Sequence, residues 1–556
     1  MRVMMTCSPA VVRNLLKIFF KMKRQKILFA IFFLFLVLIS FVVKLIEFDN
    51  PYSGFALGRQ LDNLVAMEEY FLEDVNLLKR RVLGGWPGYV LYGLPVYQSL
   101  GALLSPSYDE ILFTARSINL VFALLSVVLL FKIASTWFGV KTAVYSSLFF
   151  TFAPLNLMHH RGVMMDVSSV FFCLVATWIL VDYFENEKKL WKTLLFVIAG
   201  GLSVTTKPLY FFPVGAIALA NYITQYRPPF FSNASNYMKK NLGLVIAFIL
   251  ITAIMLGWVW FVKMANASEA RGGGVLMFLG NGHFLLSPKY YALLTFRFFL
   301  LILNPFTGFL FMIGAVLIWT RYRKKDAIAL PFLIPLYYLF FADINSPHEY
   351  YSLIMIPYCS LVAGVGAVWI EERLSLDNLV RRRGLTQGVF CVFSSMISVL
   401  IFILNFLVGS LNLESKPVQI QREMHLVLEP KQAAHVYINK PNFPLHDYVK
   451  YNRSLYLSHV FNVRSEEDIR TFGEPITPWE ILYALRQFGN VESTEGGIPK
   501  VVIDRLQSKY QGKLRYVLFY RYSEEQKPQI NEKISEYQAI YESKDWVVYD
   551  LTKRRR

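Results

Sequence analysis

Long apolar runs broken by short polar and basic stretches fill the first 410 residues. A run of about 18 residues or more can cross the roughly 30 Å of bilayer hydrocarbon. The pattern predicts eleven spans, over 26–46, 111–133, 140–158, 167–184, 190–205, 208–224, 241–262, 292–319, 327–342, 350–371 and 386–409. Residues 1–25 form a cytoplasmic N-terminal segment, so odd-numbered spans run outward and even-numbered ones return. Charge gives an independent check. Lys188, Lys189 and Lys192, then Arg227, Lys239 and Lys240, then Arg321, Arg323, Lys324 and Lys325, and finally Arg381, Arg382 and Arg383 all fall in the inner loops. That is the positive-inside bias.

Between the first two spans lies an outer region, 47–110, with a different period. Leu57, Leu61, Leu64, Phe71, Val75 and Leu78 follow helical spacing, with Arg59, Asp62, Glu69 and Glu73 off the stripe. A second short apolar stretch runs from Tyr89 to Leu104 and includes Pro95. Two helices lying along the membrane surface are expected. The outer loop 263–291 carries Gly272, Gly273 and Gly274, which permit movement over a substrate. Beyond residue 410 the pattern changes to short β-prone runs, HVYIN, KVVID, RYVLFY and WVVYDL, with a helical PWEILYALRQF among them. The fold class expected is an α-helical polytopic membrane domain, 26–410, followed by a small extracytoplasmic α/β soluble domain, 411–556.

Composition agrees: 55% of the 556 residues are hydrophobic and only 17% are charged, where soluble domains carry about 25%. The net charge of +18 sits in short loops between spans, so headgroups and topology explain it and nucleic acid is not an expected partner. The basic segment with Lys21, Lys23 and Arg24 before KILFAIFFLFLVLISFVVK resembles a signal peptide. The apolar run is too long, however, and no small-residue cleavage site follows, so it reads as an uncleaved first span. Cys7, Cys173, Cys359 and Cys391 imply no disulfide framework. The sequons at Asn233, Asn266 and Asn452 decide nothing without a known compartment.

Against this apolar background, a few ionisable residues sit at one end of separate spans: Asp62, Asp166, Lys207 and His348. Charges held at the lip of a hydrophobic bundle are costly and point to a site. Asp62 reads equally as an exposed surface carboxylate or as a group orienting a hydroxyl, with Arg59 three residues earlier as its partner. Asp166 reads as a helix N-cap with a further role, since His159, His160 and Arg161 add more polarity than a cap needs. Adjacent imidazoles diverge on a helix, which disfavours a metal held by that pair. Lys207 precedes Pro208 at a break and either snorkels to headgroups or holds a phosphate. Together Arg59, Arg161, Lys207 and His348 suit a lipid phosphate or pyrophosphate. P-loop, GxSxG and dinucleotide motifs are absent from the sequence.

These stretches resemble the GT-C superfamily of membrane glycosyltransferases, near the protein mannosyltransferase and aminoarabinose transferase type. The resemblance covers roughly 55–370 and comes in ordered pieces: RQLDNLVAMEEYFLEDVNLLKRRV, YGLPVYQSLGALL, TARSINLVFALLS, FAPLNLMHHRGVMMDVSSVFFCLVATWIL, GLSVTTKPLYFFPV and HEYYSLIMIPYCSLVAG. It places the family's two acids on Asp62 and Asp166, its lysine on Lys207, and its HxYY-and-proline start on His348, Tyr350, Tyr351 and Pro357. Leu57 and Gly58 stand where many relatives carry tryptophan or histidine, and Asn63 where others carry a second acid.

The resemblance implies a transferase that moves a sugar from a polyprenyl-phosphate-linked donor to a hydroxyl acceptor on the outer face of a plasma (bacterial inner) membrane, with inversion. Asp62 would be the base and Asp166 would assist at the acceptor or a metal. Arg59, Arg161 and Lys207 would hold the donor phosphate, while Gln60, His159, His160, His348, Tyr350 and Tyr351 would line the pocket. A divalent metal ion stays an open alternative rather than a requirement. Competing readings are a transporter or flippase for a lipid-linked saccharide, a polysaccharide ligase or polymerase, and a receptor built around the outer domain. Inverted repeats, usual in transporters, are not evident.

Overall fold

The computed structural model describes residues 57–72, 75–78, 93–107, 110–186, 189–225, 237–265, 283–321, 327–345, 349–376 and 392–400, with 34, 37, 38 and 40–45 of the first apolar run and five C-terminal strands. His348, the loop glycines 272–274, the expected helix at 478–488 and the KVVID run lie outside the described residues, as do Cys7 and Cys391.

The outer region supplies α1 (Leu57–Leu72) and α2 (Val96–Leu104), the latter starting directly after Pro95. The helix expected to continue through Val75 and Leu78 stops at Leu72, and Leu78 is exposed at a turn. The face of α1 that is buried carries Gln60, Asn63, Leu64 and Met67, a mixed stripe at helical spacing rather than a purely apolar one. Polar side chains tolerate that burial only when hydrogen-bonded, which decides what α1 packs against.

The bundle follows: α3 (Ile111–Phe138), α4 (Val140–Thr151), α5 (Pro154–His159), α6 (Met165–Glu185) and α7 (Leu190–Thr206). A 3₁₀ turn, Pro208–Phe211, leads into α8 (Phe212–Gln225), and α9 (Leu242–Ala265) comes next. Then come α10 (Pro288–Arg297), α11 (Pro305–Thr320), α12 (Leu330–Phe340) and, after the 3₁₀ segment Glu349–Met355, α13 (Ile356–Leu376). Four stretches among the described residues are long and apolar enough to span: Ile111–Phe138, Met165–Glu185, Leu242–Met264 and Glu349–Arg373.

Two expected spans are corrected. The run 292–319 is not one helix: Pro288–Ile302 and Pro305–Thr320 meet at 106°. Asn304 caps the second limb by accepting the Thr307 N–H at 2.9 Å, and Pro305 at the first helical position fixes the new start. The run 140–158 is likewise broken, since Pro154 opens α5 after α4 has ended at Thr151.

Helix α13 is the axis, lying between α4 and α11. Gly314 and Gly366 bring α11 and α13 so close that a Cβ at either would collide with a backbone carbonyl of the other helix. Lipid tails are as apolar as leucine, so such close van der Waals seams, rather than hydrophobic exclusion, hold membrane helices together. Tyr358 adds a polar tie, sharing a hydrogen bond with Thr177 of α6 at 2.8 Å. Toward the far end of α13, Glu371 accepts from Lys141 Nζ and Tyr145 Oη, both at 3.3 Å.

The C-terminal strands are β1 (Ala433–Ile438), β2 (Val491–Glu495), β3 (Leu514–Tyr520), β4 (Tyr537–Glu542) and β5 (Trp546–Arg554), in the order β2-β1-β3-β5-β4. The first three are parallel and β5 runs antiparallel to both its neighbours. Strands β1, β3 and β5 coincide with HVYIN, RYVLFY and WVVYDL, while β2 and β4 have sequences too polar to stand out.

Candidate functional site

Residues 160–165 carry no long helix of their own, yet they are held rigidly. Asn119 of α3 donates to the carbonyls of Gly162 and Met164 at 2.7 and 3.0 Å. From α1, Asn63 donates to the Val163 carbonyl at 2.8 Å, and Gln60 accepts the Val163 N–H at 3.1 Å. Gln98 of α2 in turn donates to Asn63 at 2.6 Å. The buried polar stripe of α1 is therefore a clamp on this segment, and Gln60 contributes its amide oxygen to that clamp.

The clamped segment delivers Asp166 at the start of α6, fully buried. Asp166 does not cap the helix: Met164 occupies the N-cap and no side chain bonds there. Its Oδ1 instead pairs with Lys207 Nζ in a buried salt bridge and accepts the Tyr210 hydroxyl at 2.7 Å. The same hydroxyl lies 2.9 Å from the Tyr350 carbonyl, so its proton is shared between two acceptors. Asp166 Oδ2 has no hydrogen-bond partner.

Lys207 is extended at the end of α7 and 6% exposed, so it does not snorkel. Its position is fixed from above. Leu94 N–H donates to the Thr205 carbonyl at 2.8 Å, and Gly93 presses on the Thr206 carbonyl so closely that a Cβ there would collide with it. The ammonium faces the rings of Tyr351, Tyr350 and Tyr210 at 4.3, 4.8 and 5.2 Å from their centroids.

Arg59 enters from α1, with its guanidinium 5.9 Å from the Tyr350 ring centroid and a hydrogen bond to Tyr351. Burial opposes its charge, but Tyr350, Tyr351, Asp166 and Asp62 more than offset this and raise its pKa above the ordinary arginine value. Arg59 thus stands in the field of both aspartates. Asp62, on the same helix, is only half-buried.

Tyr350 and Tyr351 are presented by the 3₁₀ segment 349–355, whose backbone is fixed by Tyr337 Oη donating to the Tyr351 carbonyl at 2.9 Å. Glu349 of the same segment lies 3.9 Å from His159 Nε2 and in the field of Arg297. The two histidines diverge: His159 turns toward Glu349 and Asp166, whereas His160 stacks near Phe150 at 5.7 Å and feels Lys44. Arg161 is buried beside them. No cluster of three His, Cys, Asp or Glu side chains suited to a metal ion occurs among the described residues.

Sequence reasoning missed Tyr210, Glu349, Arg297 and the Asn63–Gln98–Asn119 clamp. Arg297, a fully buried cation donating to the Asn345 carbonyl, was detectable as a charge inside an expected span. Tyr210 lies within the aromatic run PLYFFP and gives no comparable signal. Chemically, the buried Lys207, the partly buried Arg59 and several phenols converge where one carboxylate oxygen is left over. Such an array suits an anionic group that displaces Lys207 from Asp166.

Comparison with known proteins bears on this arrangement. Residues 98–262 match the family described as dolichyl-phosphate-mannose-protein mannosyltransferase. A Bacillus subtilis protein named as a mannosyltransferase, YkcB, is 28% identical over 144 residues, which are 26% of this chain; the chain spans only 19% of that relative's length. Among solved structures, ArnT from Cupriavidus metallidurans bound to undecaprenyl phosphate superposes with a TM-score of 0.55 at 13% identity, covering 94% of this chain and 99% of ArnT. The oligosaccharyltransferase of Archaeoglobus fulgidus in its apo form gives a TM-score of 0.51 at 10% identity, covering 88% of this chain and 69% of its own. Residues 98–262 thus carry a mannosyltransferase family match, and the chain shares its fold with ArnT and the archaeal oligosaccharyltransferase.

Proposed function

We propose that the protein transfers a sugar from a polyprenyl-phosphate-linked donor to a hydroxyl acceptor at the extracytoplasmic face of the membrane. The observation that carries this reading is the buried Lys207–Asp166 pair ringed by Tyr210, Tyr350, Tyr351 and Arg59. The similar fold of ArnT bound to undecaprenyl phosphate supports this reading. In this chain Lys207 and Arg59 are the cations placed to receive such a phosphate.

In the reaction the acceptor oxygen forms a bond to the anomeric carbon while the bond from that carbon to the phosphate oxygen breaks. The phosphate leaves with the bonding electrons, and attack opposite the leaving group inverts the anomeric centre. Charge on the departing phosphate grows through the transition state, so fixed cations and hydroxyl donors lower the barrier. Lys207 and Arg59 supply the charge, with the phenols of Tyr350 and Tyr351 alongside. The acceptor's proton goes to Asp62, the more accessible of the two aspartates. Asp166 holds Lys207 in place before the donor arrives and offers its second oxygen to a substrate hydroxyl afterwards.

The rest of the reading is topological. Residues 1–25 lie in the cytoplasm and the domain 411–556 lies outside a plasma (bacterial inner) membrane, as the loop charges indicate.

The test is direct. Purified full-length protein is incubated with a polyprenyl-phosphate-linked sugar, and release of polyprenyl phosphate is followed. Release that depends on Asp62 and Lys207 supports the proposal. Translocation of the intact donor across vesicles without bond cleavage overturns it.

A further inference from the structure

The first apolar run presents its polar residues on one side. Leu34, Leu38 and Val42 are between 56 and 64% exposed, whereas Ser40 and Lys44, one helical turn apart, are 1% and 5% exposed. A lysine that closes an apolar run ordinarily extends along the helix to reach headgroups and water. Lys44 does the opposite and turns inward. Ser40 donates to the Thr151 carbonyl at 3.4 Å, which seats the helix against the end of α4. Lys44 then lines a shallow crevice with Val37, Phe41, Leu120, Leu124 and Val127, between the first helix and α3.

No carboxylate pairs with Lys44 among the described residues. Lys44 acts electrostatically on His160, whose buried Nδ1 has no hydrogen-bond partner. Burial disfavours the charged form of an unpaired lysine, and an anion set between Lys44 and the imidazole would offset that cost. One flank of the crevice, at Leu124, Val121 and Val128, is 38 to 54% exposed on the apolar surface of α3. Basic pockets between membrane helices recognise lipid head groups through this combination of cation and apolar wall.

We propose that Lys44 holds the phosphate of an anionic phospholipid whose acyl chain lies along Val37, Phe41 and Leu124, with His160 as second contact. This site is on the other flank of the 159–161 segment from the Asp166–Lys207 centre, and it does not depend on the transfer reaction. A lipid bound there stabilises the segment that carries His159 and Asp166 without entering the reaction.

The experiment uses full-length protein in detergent, titrated with phosphatidylglycerol or phosphatidylcholine and observed by native mass spectrometry. A photoreactive phosphatidylglycerol is cross-linked in parallel. The expected result is preferential retention of phosphatidylglycerol, cross-links on residues 37–44 or 120–127, and at least a tenfold loss of the tightest-bound lipid in Lys44→Met. Lys44→Arg should retain it, as should Lys263→Met, which alters an exposed lysine on α9. Equal retention of both lipids, or cross-links confined elsewhere, overturns the proposal, and the cross-linking arm needs no variant. Unchanged binding in Lys44→Met assigns the counter-charge to the chain itself, and labelling abolished by inorganic phosphate assigns the site to a free anion. Because no sugar donor is present, failure here leaves the transferase assay unaffected, and the reverse also holds.

Discussion

Helix α13 and its 3₁₀ lead-in carry polar chemistry at both ends, and the two ends are built differently. At one, Glu371 meets Lys141 and Tyr145, and the lysine is half exposed. One acid is matched by one cation and one hydroxyl, and water reaches the cation. At the other, Asp166 is fully buried with Lys207, and Arg59, Tyr210, Tyr350 and Tyr351 crowd around the pair. Two cations and three phenols gather there about one buried carboxylate, one of whose oxygens is left without a hydrogen bond. The first arrangement anchors a helix end where water reaches the cation; the second concentrates cations, phenols and a carboxylate in one buried cluster. The difference sets a half-exposed ion pair apart from the buried cluster to which the proposed function assigns binding.

The largest expected effect that would break this contrast comes from Lys207→Met. It removes the cation nearest the proposed phosphate and leaves Asp166 buried without its partner, so transfer should fall by 10³-fold or more. The fold should lose about 3–5 kcal/mol. Donor turnover and thermal unfolding in the same detergent check both parts. Asp62→Asn should lower turnover by roughly 10²–10⁴-fold and cost the fold about 1 kcal/mol or less, because the half-buried side chain also acts on Arg59. Full transfer by a well-folded Asp62→Asn protein would remove the proposed base. Tyr210→Phe deletes one hydrogen bond to a charged group, worth about 1.5–3 kcal/mol. A reduction in kcat/KM of roughly ten- to hundredfold is expected. At the opposite end Lys141→Gln should cost about 1–3 kcal/mol, because the lysine is half exposed but Glu371 is buried and keeps only Tyr145, and should leave kcat/KM at the parent value. A large kinetic effect from that substitution would erase the distinction between the two ends.

How much of this was readable in the sequence depended on contrast with the background. Asp166 and Lys207 stood out because a charge next to a long apolar run is rare and costly. The aromatic partners did not: Tyr210 is one ring among several in PLYFFP, and only the fold selects which hydroxyl turns inward. Asn63, Gln98 and Asn119 resemble ordinary loop or helix-surface residues, and their role depends on a backbone segment up to about a hundred residues away. The bend inside 292–319 was the reverse case. Asn304-Pro305 is a legible start signal, but it was outweighed by an unbroken run of apolar residues on either side. Hydropathy records which residues avoid water and is silent on where the chain turns. Likewise the stripe on α1 was drawn through leucines, while the buried face follows Gln60, Asn63, Leu64 and Met67 because it grips a backbone rather than a lipid tail.

The contact of Gly93 with the Thr206 carbonyl ties the chain entering α2 to the residue next to Lys207, with no thickness of side chain between them. Whatever tilts α2 must therefore tug on the lysine's own main chain. An added methyl at position 93 would meet that carbonyl and force one of the two segments to shift, carrying the displacement to the lysine.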